Sequence, residues 1–133
     1  MLKRTPLFAA HQELGAKLVE FGGWEMPVHY SSIVEEHQAV RTAAGVFDIS
    51  HMGQVIVSGE TAPTWLNRLL TNNISRLEIG QGQYTLMLND DGGVIDDLIA
   101  YRTGENEYFL VVNASMVAED LAWMNARQCG GVT

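Results

Sequence analysis

The chain has 133 residues, 47% of them apolar, with 16 acids against 8 bases and one cysteine. That length suits one domain with a real core, and that composition excludes a disordered chain. A formal charge of −8 with no basic patch argues against nucleic-acid binding, and a lone Cys129 excludes an intramolecular disulfide framework.

No apolar run is long enough to span a bilayer, and the opening MLKRTPLF lacks the apolar stretch of a signal peptide. A soluble, unexported protein, cytoplasmic and without a membrane partner, is expected. In chain order, Thr5-Pro6 resembles an N-cap followed by proline at the first helical position, so a helix is expected to about Gly15. AKLVEF (16–21) alternates as a strand does, and GGWEMPVHY after it reads as a loop. Ser31 or Ser32 can cap a second helix, IVEEHQAVRTAA, with Glu35 at the capping-box position of Ser32 and Gly45 beyond its end. VFDISHMG reads as an irregular connector.

QVIVSG (54–59) is a short strand, and Thr61 to Leu70 is a helix with Trp65, Leu66, Leu69 and Leu70 on one face. QYTLMLN (83–89) is a strand ended by the turn Asn89-Asp90-Asp91-Gly92-Gly93. VIDDLIAYR answers it, a turn at Thr103 to Asn106 follows, and EYFLVVN (107–113) is the next strand. A helix from about Ser115 carries Val117, Leu121 and Met124 as its apolar stripe. From residue 54 the order is therefore β-α-β-β-β-α. Three strands with short turns form an antiparallel meander, and helices on one face make an α+β layer. Gly130-Gly131 after a helix would lead into a further strand.

The chemistry concentrates in GGVIDDLIAYR (92–102), where Asp96 and Asp97 sit side by side in a strand. Aspartate is depleted in strands, and a buried carboxylate needs a partner. Alternation puts Val94, Asp96, Leu98 and Ala100 on one side, and Ile95, Asp97, Ile99 and Tyr101 on the other. A partly desolvated carboxylate can act as a general base or anchor an N–H-rich ligand. Hydrogen bonding to turn amides near the strand end would equally account for either acid, and the pattern does not choose between them.

Elsewhere the signals are weak. No HxH, HxxxH or HExxH spacing links His11, His29, His37 and His51, so no metal is expected. His11 and His37 fall on polar helix faces and are read as solvated, and His51 as a hydrogen-bonded packing histidine. Gly80-Gln81-Gly82 lacks a nucleotide-loop context, and Trp24, Met26, Tyr30, Met52 and Tyr84 could line an apolar pocket or a plain core.

Taken together, RTPLFAAHQELGAKLVEFGGWEMPVHY, VRTAAGVFDISHMGQVIVSG, GGVIDDLIAYR and YFLVVNAS resemble the T-protein (aminomethyltransferase) family of the glycine cleavage system. The likeness runs in order over essentially the whole chain, with FGGWEMPVHY, GVFDISHMG and GGVIDDL as its specific motifs. It implies the N-terminal part of a longer folate-binding T-protein fold. Residues 1–50 would be a segment of the first subdomain, and 51–133 part of the second, ending before its next strand.

The family takes an aminomethyl group from the lipoyl arm of H-protein, releases ammonia and passes the methylene to tetrahydrofolate. The reaction involves a cationic, iminium-like methylene. The resemblance assigns the catalytic acid to Asp97, the second acid of GGVIDDL, and leaves Asp96 structural. It assigns tetrahydrofolate contacts to Met52, Tyr84, Asp97, Tyr101, Val111 and Asn113. An aromatic and Met-rich surface with few polar anchors suits a flat pterin. The family's further folate ligands, an arginine, a glutamate and tyrosines, belong to a region these residues do not include. The isolated chain is therefore expected to be inactive and prone to self-association.

Two other readings share the sequence features. Folate-binding T-like domains occur in dimethylglycine- and sarcosine-oxidising enzymes and in a non-catalytic iron–sulfur-cluster maturation factor. The start of RTPLF near Met1 disfavours the former, and FGGWEMP together with SHMG disfavours the latter. A ligand-binding or interaction module without catalysis is the third class.

Overall fold

The computed structural model describes residues 1–133. They form two compact units, Met1–His51 and Met52–Thr133.

In the first unit, helix α1 (Phe8–Glu13) precedes an antiparallel hairpin of β1 (Lys17–Phe21) and β2 (Trp24–His29), and helix α2 (Ile33–Thr42) follows. The segment expected as a loop after Phe21 is thus a strand. Gly22 and Gly23 both take positive φ, 57° and 85°, which closes a two-residue hairpin and pairs Phe21 with Trp24. Pro27 obscured the strand, but a two-stranded ribbon has free edges that tolerate a missing N–H. Helix α2 begins as the sequence indicates, with the Ser32 hydroxyl accepting the Glu35 N–H at 3.2 Å. Helix α1 starts later than expected because the Thr5 hydroxyl does not cap it. It donates instead to Asp48 Oδ2 at 2.6 Å.

That same carboxylate corrects the reading of His11, which is buried rather than solvated. His11 Nε2 donates to Asp48 Oδ2 at 2.8 Å, and Nδ1 bonds the Tyr30 hydroxyl at 2.8 Å. The Ser50 N–H donates to the other Asp48 oxygen at 2.9 Å. Burial works against the Asp48 charge, yet the bonds from Ser50, Thr5 and His11 outweigh it. They hold the carboxyl well below the usual carboxylate range.

The second unit is built on a four-stranded antiparallel sheet of β3 (Gly53–Ser58), β4 (Gly82–Leu88), β5 (Val94–Arg102) and β6 (Glu107–Val112), in the order β3-β6-β5-β4. Helix α3 (Ala62–Leu69), a 3-10 turn at Ile74–Arg76 and helix α4 (Val117–Ala126) complete it. The expected β-α-β-β-β-α order and α+β layering hold. At the free edge of β3, Ser58 and Thr133 exchange both backbone hydrogen bonds, at 2.8 and 2.9 Å.

One sheet face makes the core. Val57, Met87, Leu98, Ala100, Tyr108, Leu110 and Val112 pack against Trp65, Leu66 and Leu69 of α3 and Met124 of α4. Alternation along the strands puts every other residue on the opposite face, which the helices leave open. The expected stripe on α4 is corrected. Leu121 is 37% exposed, whereas Asp120 is fully buried between Val117 and Met124 on the inward face. No helix is long and apolar enough to cross a membrane.

Candidate active site

The open face of the second unit is arranged in rows across the strands. Ile56 lies opposite Phe109, Phe109 opposite Tyr101, and Tyr101 opposite Gly82. In the next row Gln54, Val111, Ile99 and Tyr84 are successive partners. Asp97 lies one row further along, opposite Leu86. Extending the same register one step past the strand ends brings Asn113 beside Asp97, and Met52 beside Asn113. The six residues singled out in the sequence, Met52, Tyr84, Asp97, Tyr101, Val111 and Asn113, thus occupy three adjacent rows.

Local sequence explains this placement. Gly82 has no side chain where the Tyr101 ring lies, since a Cβ there would come within 2.5 Å of the ring. The β4–β5 register shifts between Met87 and Leu88, so that Met87 faces Asp96 and Leu88 faces Val94. That irregularity leaves Ile95 unpaired and Val94 exposed, although strict alternation would have turned Val94 inward with Asp96.

The two aspartates have separate surroundings. Asp96 is buried, 5% exposed, while Asp97 belongs to the exposed face. Asn113 touches both. Its backbone N–H donates to Asp96 Oδ2 at 3.1 Å and its side-chain amide to Asp96 Oδ1 at 2.8 Å. The same Nδ2 donates to the Asp97 carbonyl at 3.0 Å and approaches Asp97 Oδ1 at 3.3 Å. Hydrogen bonding to the Asp97 carboxylate, followed by desolvation, pushes the Tyr84 phenol above its ordinary value.

A third acid belongs to this cluster and escaped the sequence reading. The Asp120 carboxyl is buried with no N–H or hydroxyl donor on either oxygen. Burial, and then hydrogen bonding and charge from Asp96, push it up to about 7. Its spacing from Val117 and Met124 is helical and would have placed it inward. Its acid side chain gives no sign of burial, and only its helical register marks it as inward-facing.

The remaining candidates belong to the first unit. His51 packs edge-on against Phe21 at 5.9 Å and Trp24 at 6.4 Å between ring centroids. Contrary to expectation its Nδ1 is buried without a hydrogen-bond partner. Trp24, Met26 and Tyr30 are in the first unit. No group of three or more His, Cys, Asp or Glu side chains is placed to hold a metal ion.

The open face has groups of the kind that a flat, N–H-bearing heteroaromatic ring could use. It offers Tyr84, Ile99, Tyr101 and Val111 as contact surface, and Asp97 as an acceptor. Aromatic and branched side chains supply area to such a ring, and a carboxylate selects its donors.

Comparison with known proteins agrees along the whole chain. The family model described as the GCVT N-terminal domain matches residues 7–133. The aminomethyltransferase of Bacillus subtilis (strain 168) is 57% identical over 132 residues, which is 99% of this chain and 36% of that protein. The aminomethyltransferase of Geobacillus kaustophilus (strain HTA426) is 54% identical, with the same coverage of 99% and 36%. The crystal structure of glycine cleavage system aminomethyltransferase T from Bartonella henselae matches with a TM-score of 0.92 at 38% identity, covering 100% of this chain and 37% of that one. The chain therefore spans about a third of the length of the curated relatives it matches.

Proposed function

This chain belongs to the GCVT N-terminal domain family, and on that premise we propose that it supplies the folate-facing sheet of a tetrahydrofolate-dependent aminomethyltransferase of the glycine cleavage system. The donor is the aminomethyl-lipoyl arm of H-protein. Tetrahydrofolate, when bound, supplies the nitrogens that receive the methylene, and ammonia leaves. The observation that carries this reading is the Asp97 carboxylate beside Tyr84, Ile99, Tyr101 and Val111 on the open face, steadied by the Asn113 amide.

Each residue has a physical task in that reaction. Tyr84, Tyr101 and Val111 hold the pterin ring flat against the sheet, and Met52 contributes a soft apolar contact. Asp97 accepts N–H groups of the ring and so fixes its orientation. Its negative charge stabilises positive charge developing on the methylene in transit, and does so more strongly once the ligand has excluded water. Asp97 can also take a proton from the attacking nitrogen. Asn113 holds the Asp97 main chain and carboxylate together, which limits the reorganisation the site needs at the moment of transfer.

Asp97→Asn in the full-length protein tests the assignment. The amide keeps the shape and removes the charge. Transfer from aminomethyl-lipoyl H-protein should fall by about 10² or more, the usual scale for a lost acid–base or electrostatic group. Undiminished transfer in a variant that still binds tetrahydrofolate would refute the role.

A further inference from the structure

Asp120 is the buried group that the proposed function leaves unused. It lies on α4, is fully buried, and has no N–H or hydroxyl donor on either carboxyl oxygen. An isolated ionised carboxylate is not stable in such a place, whereas a protonated one is. Its neighbour across the helix–sheet interface is Asp96. A second carboxylate acting on Asp120 favours its protonated form.

The geometry says where that proton is useful. Both Asp96 oxygens already accept from Asn113, one from its backbone N–H at 3.1 Å and one from its side chain at 2.8 Å. A proton on Asp96 would turn one of these acceptors into a donor facing a donor. A proton on Asp120 instead gives Asp96 a further hydrogen bond and leaves both Asp96 oxygens accepting from Asn113. Asn113 in turn bonds Asp97 through the same Nδ2. A continuous path therefore runs Asp120–Asp96–Asn113–Asp97, from the core of the second unit to its open face.

We infer that protonated Asp120 is a positioning residue, donating to Asp96 so that Asp96 locks Asn113 against Asp97. Loss of the proton places two carboxylates in contact and loosens the Asn113 lock. The charged groups acting on Asp120 are Asp96 from β5 and Glu119 from its own helix, both acidic, and both favour the protonated form. The pushed-up titration of Asp120, about 7, agrees with a proton held there through the acid range and given up around neutral pH.

The role rests on the proposed task of Asp97, but its test can fail independently. In the full-length protein, labelled with 13C at aspartate carboxyls and 15N at asparagine side chains, pH is scanned by NMR. The Asn113 Nδ2 and Asp97 carboxyl signals should shift with the midpoint of Asp120, and Asp120→Asn should abolish that shared step. The amide of this variant still donates to Asp96, so the transfer rate should lose its decline near neutral pH while the KM for the H-protein donor stays unchanged. Asn113 and Asp97 signals that stay flat through the Asp120 titration would overturn the inference. This wild-type measurement decides the matter even if the variant does not fold. Retained transfer in Asp97→Asn, with the coupling intact, would instead sink only the catalytic reading.

Discussion

At the scale of single residues, the polar groups that matter most are those whose environment contradicts their type. Asp48 is a charged side chain kept ionised in a nearly closed setting by Thr5, His11 and Ser50. Because its folded-state titration is depressed, the stability it contributes is fully present above the ordinary aspartate value of about 4. That contribution is lost progressively as pH falls below this, when the proton displaces the bonded donors. Urea midpoints read from α1 and β1 amide signals should therefore drop as pH falls below about 4, on the linkage of a depressed carboxyl. Asp48→Asn should lower stability at neutral pH by about 2 kcal/mol, the scale of a hydrogen bond to a charged group, and flatten the pH dependence. A variant as acid-sensitive as the parent would show that other carboxyls control the first unit. His11 was misread for the same reason. Its helix face is polar in sequence, and its partners lie 19 and 37 positions away. Asp120 is hidden likewise, since nothing local announces that a distant Asp96 will act on it.

At the scale of elements, alternation made the second unit legible. Strands β4, β5 and β6 carry period-two apolar patterns bounded by Asn, Asp and Gly turns, and they form where those patterns lie. The division of Asp96 from Asp97 also followed from alternation alone, though their roles did not. The chemistry entered through a family resemblance, because pattern sees faces and not ligands. Strand β2 was illegible because Gly-Gly and proline each signal a loop, and only pairing with β1 makes them a hairpin. The β4–β5 pairing also makes a prediction. Gly82 lies across from Tyr101, and a Cβ there would meet two ring carbons at 2.5 and 2.6 Å. Alanine should favour the strand by a few tenths of a kcal/mol through chain entropy, while pushing the ring aside, so net stability should change by less than about 1 kcal/mol. The displaced ring should instead shift the Tyr101 aromatic NMR signals and weaken tetrahydrofolate binding in the full-length protein several-fold. Unshifted ring signals would mean that Gly82 does not set the position of Tyr101.

At the scale of the whole molecule, the balance of covered and uncovered apolar surface controls behaviour. Helices cover one face of the four-stranded sheet, but the other leaves Ile56 at 63% and Tyr84 at 58% exposure. The first unit exposes Phe47 at 69% and Val46 completely. Contiguous apolar surface of this kind drives association in water, because each contact removes it from solvent. The formal charge of −8 opposes that association through long-range repulsion, which salt screens within about 10 Å at 0.1 M. The 133-residue chain on its own should therefore self-associate more as ionic strength rises, the opposite of a charge-driven complex. Light scattering across a salt series checks this, and a clean monomer at high concentration and high salt would contradict it. Catalysis should be affected differently. On the proposed reading this chain supplies one sheet face to tetrahydrofolate, and it spans 36% of the length of its Bacillus subtilis relative. Tetrahydrofolate should bind the isolated chain weakly, and aminomethyl transfer from H-protein should be undetectable. Measurable turnover by these 133 residues would mean that a single sheet with Asp97 on its open face suffices for the chemistry.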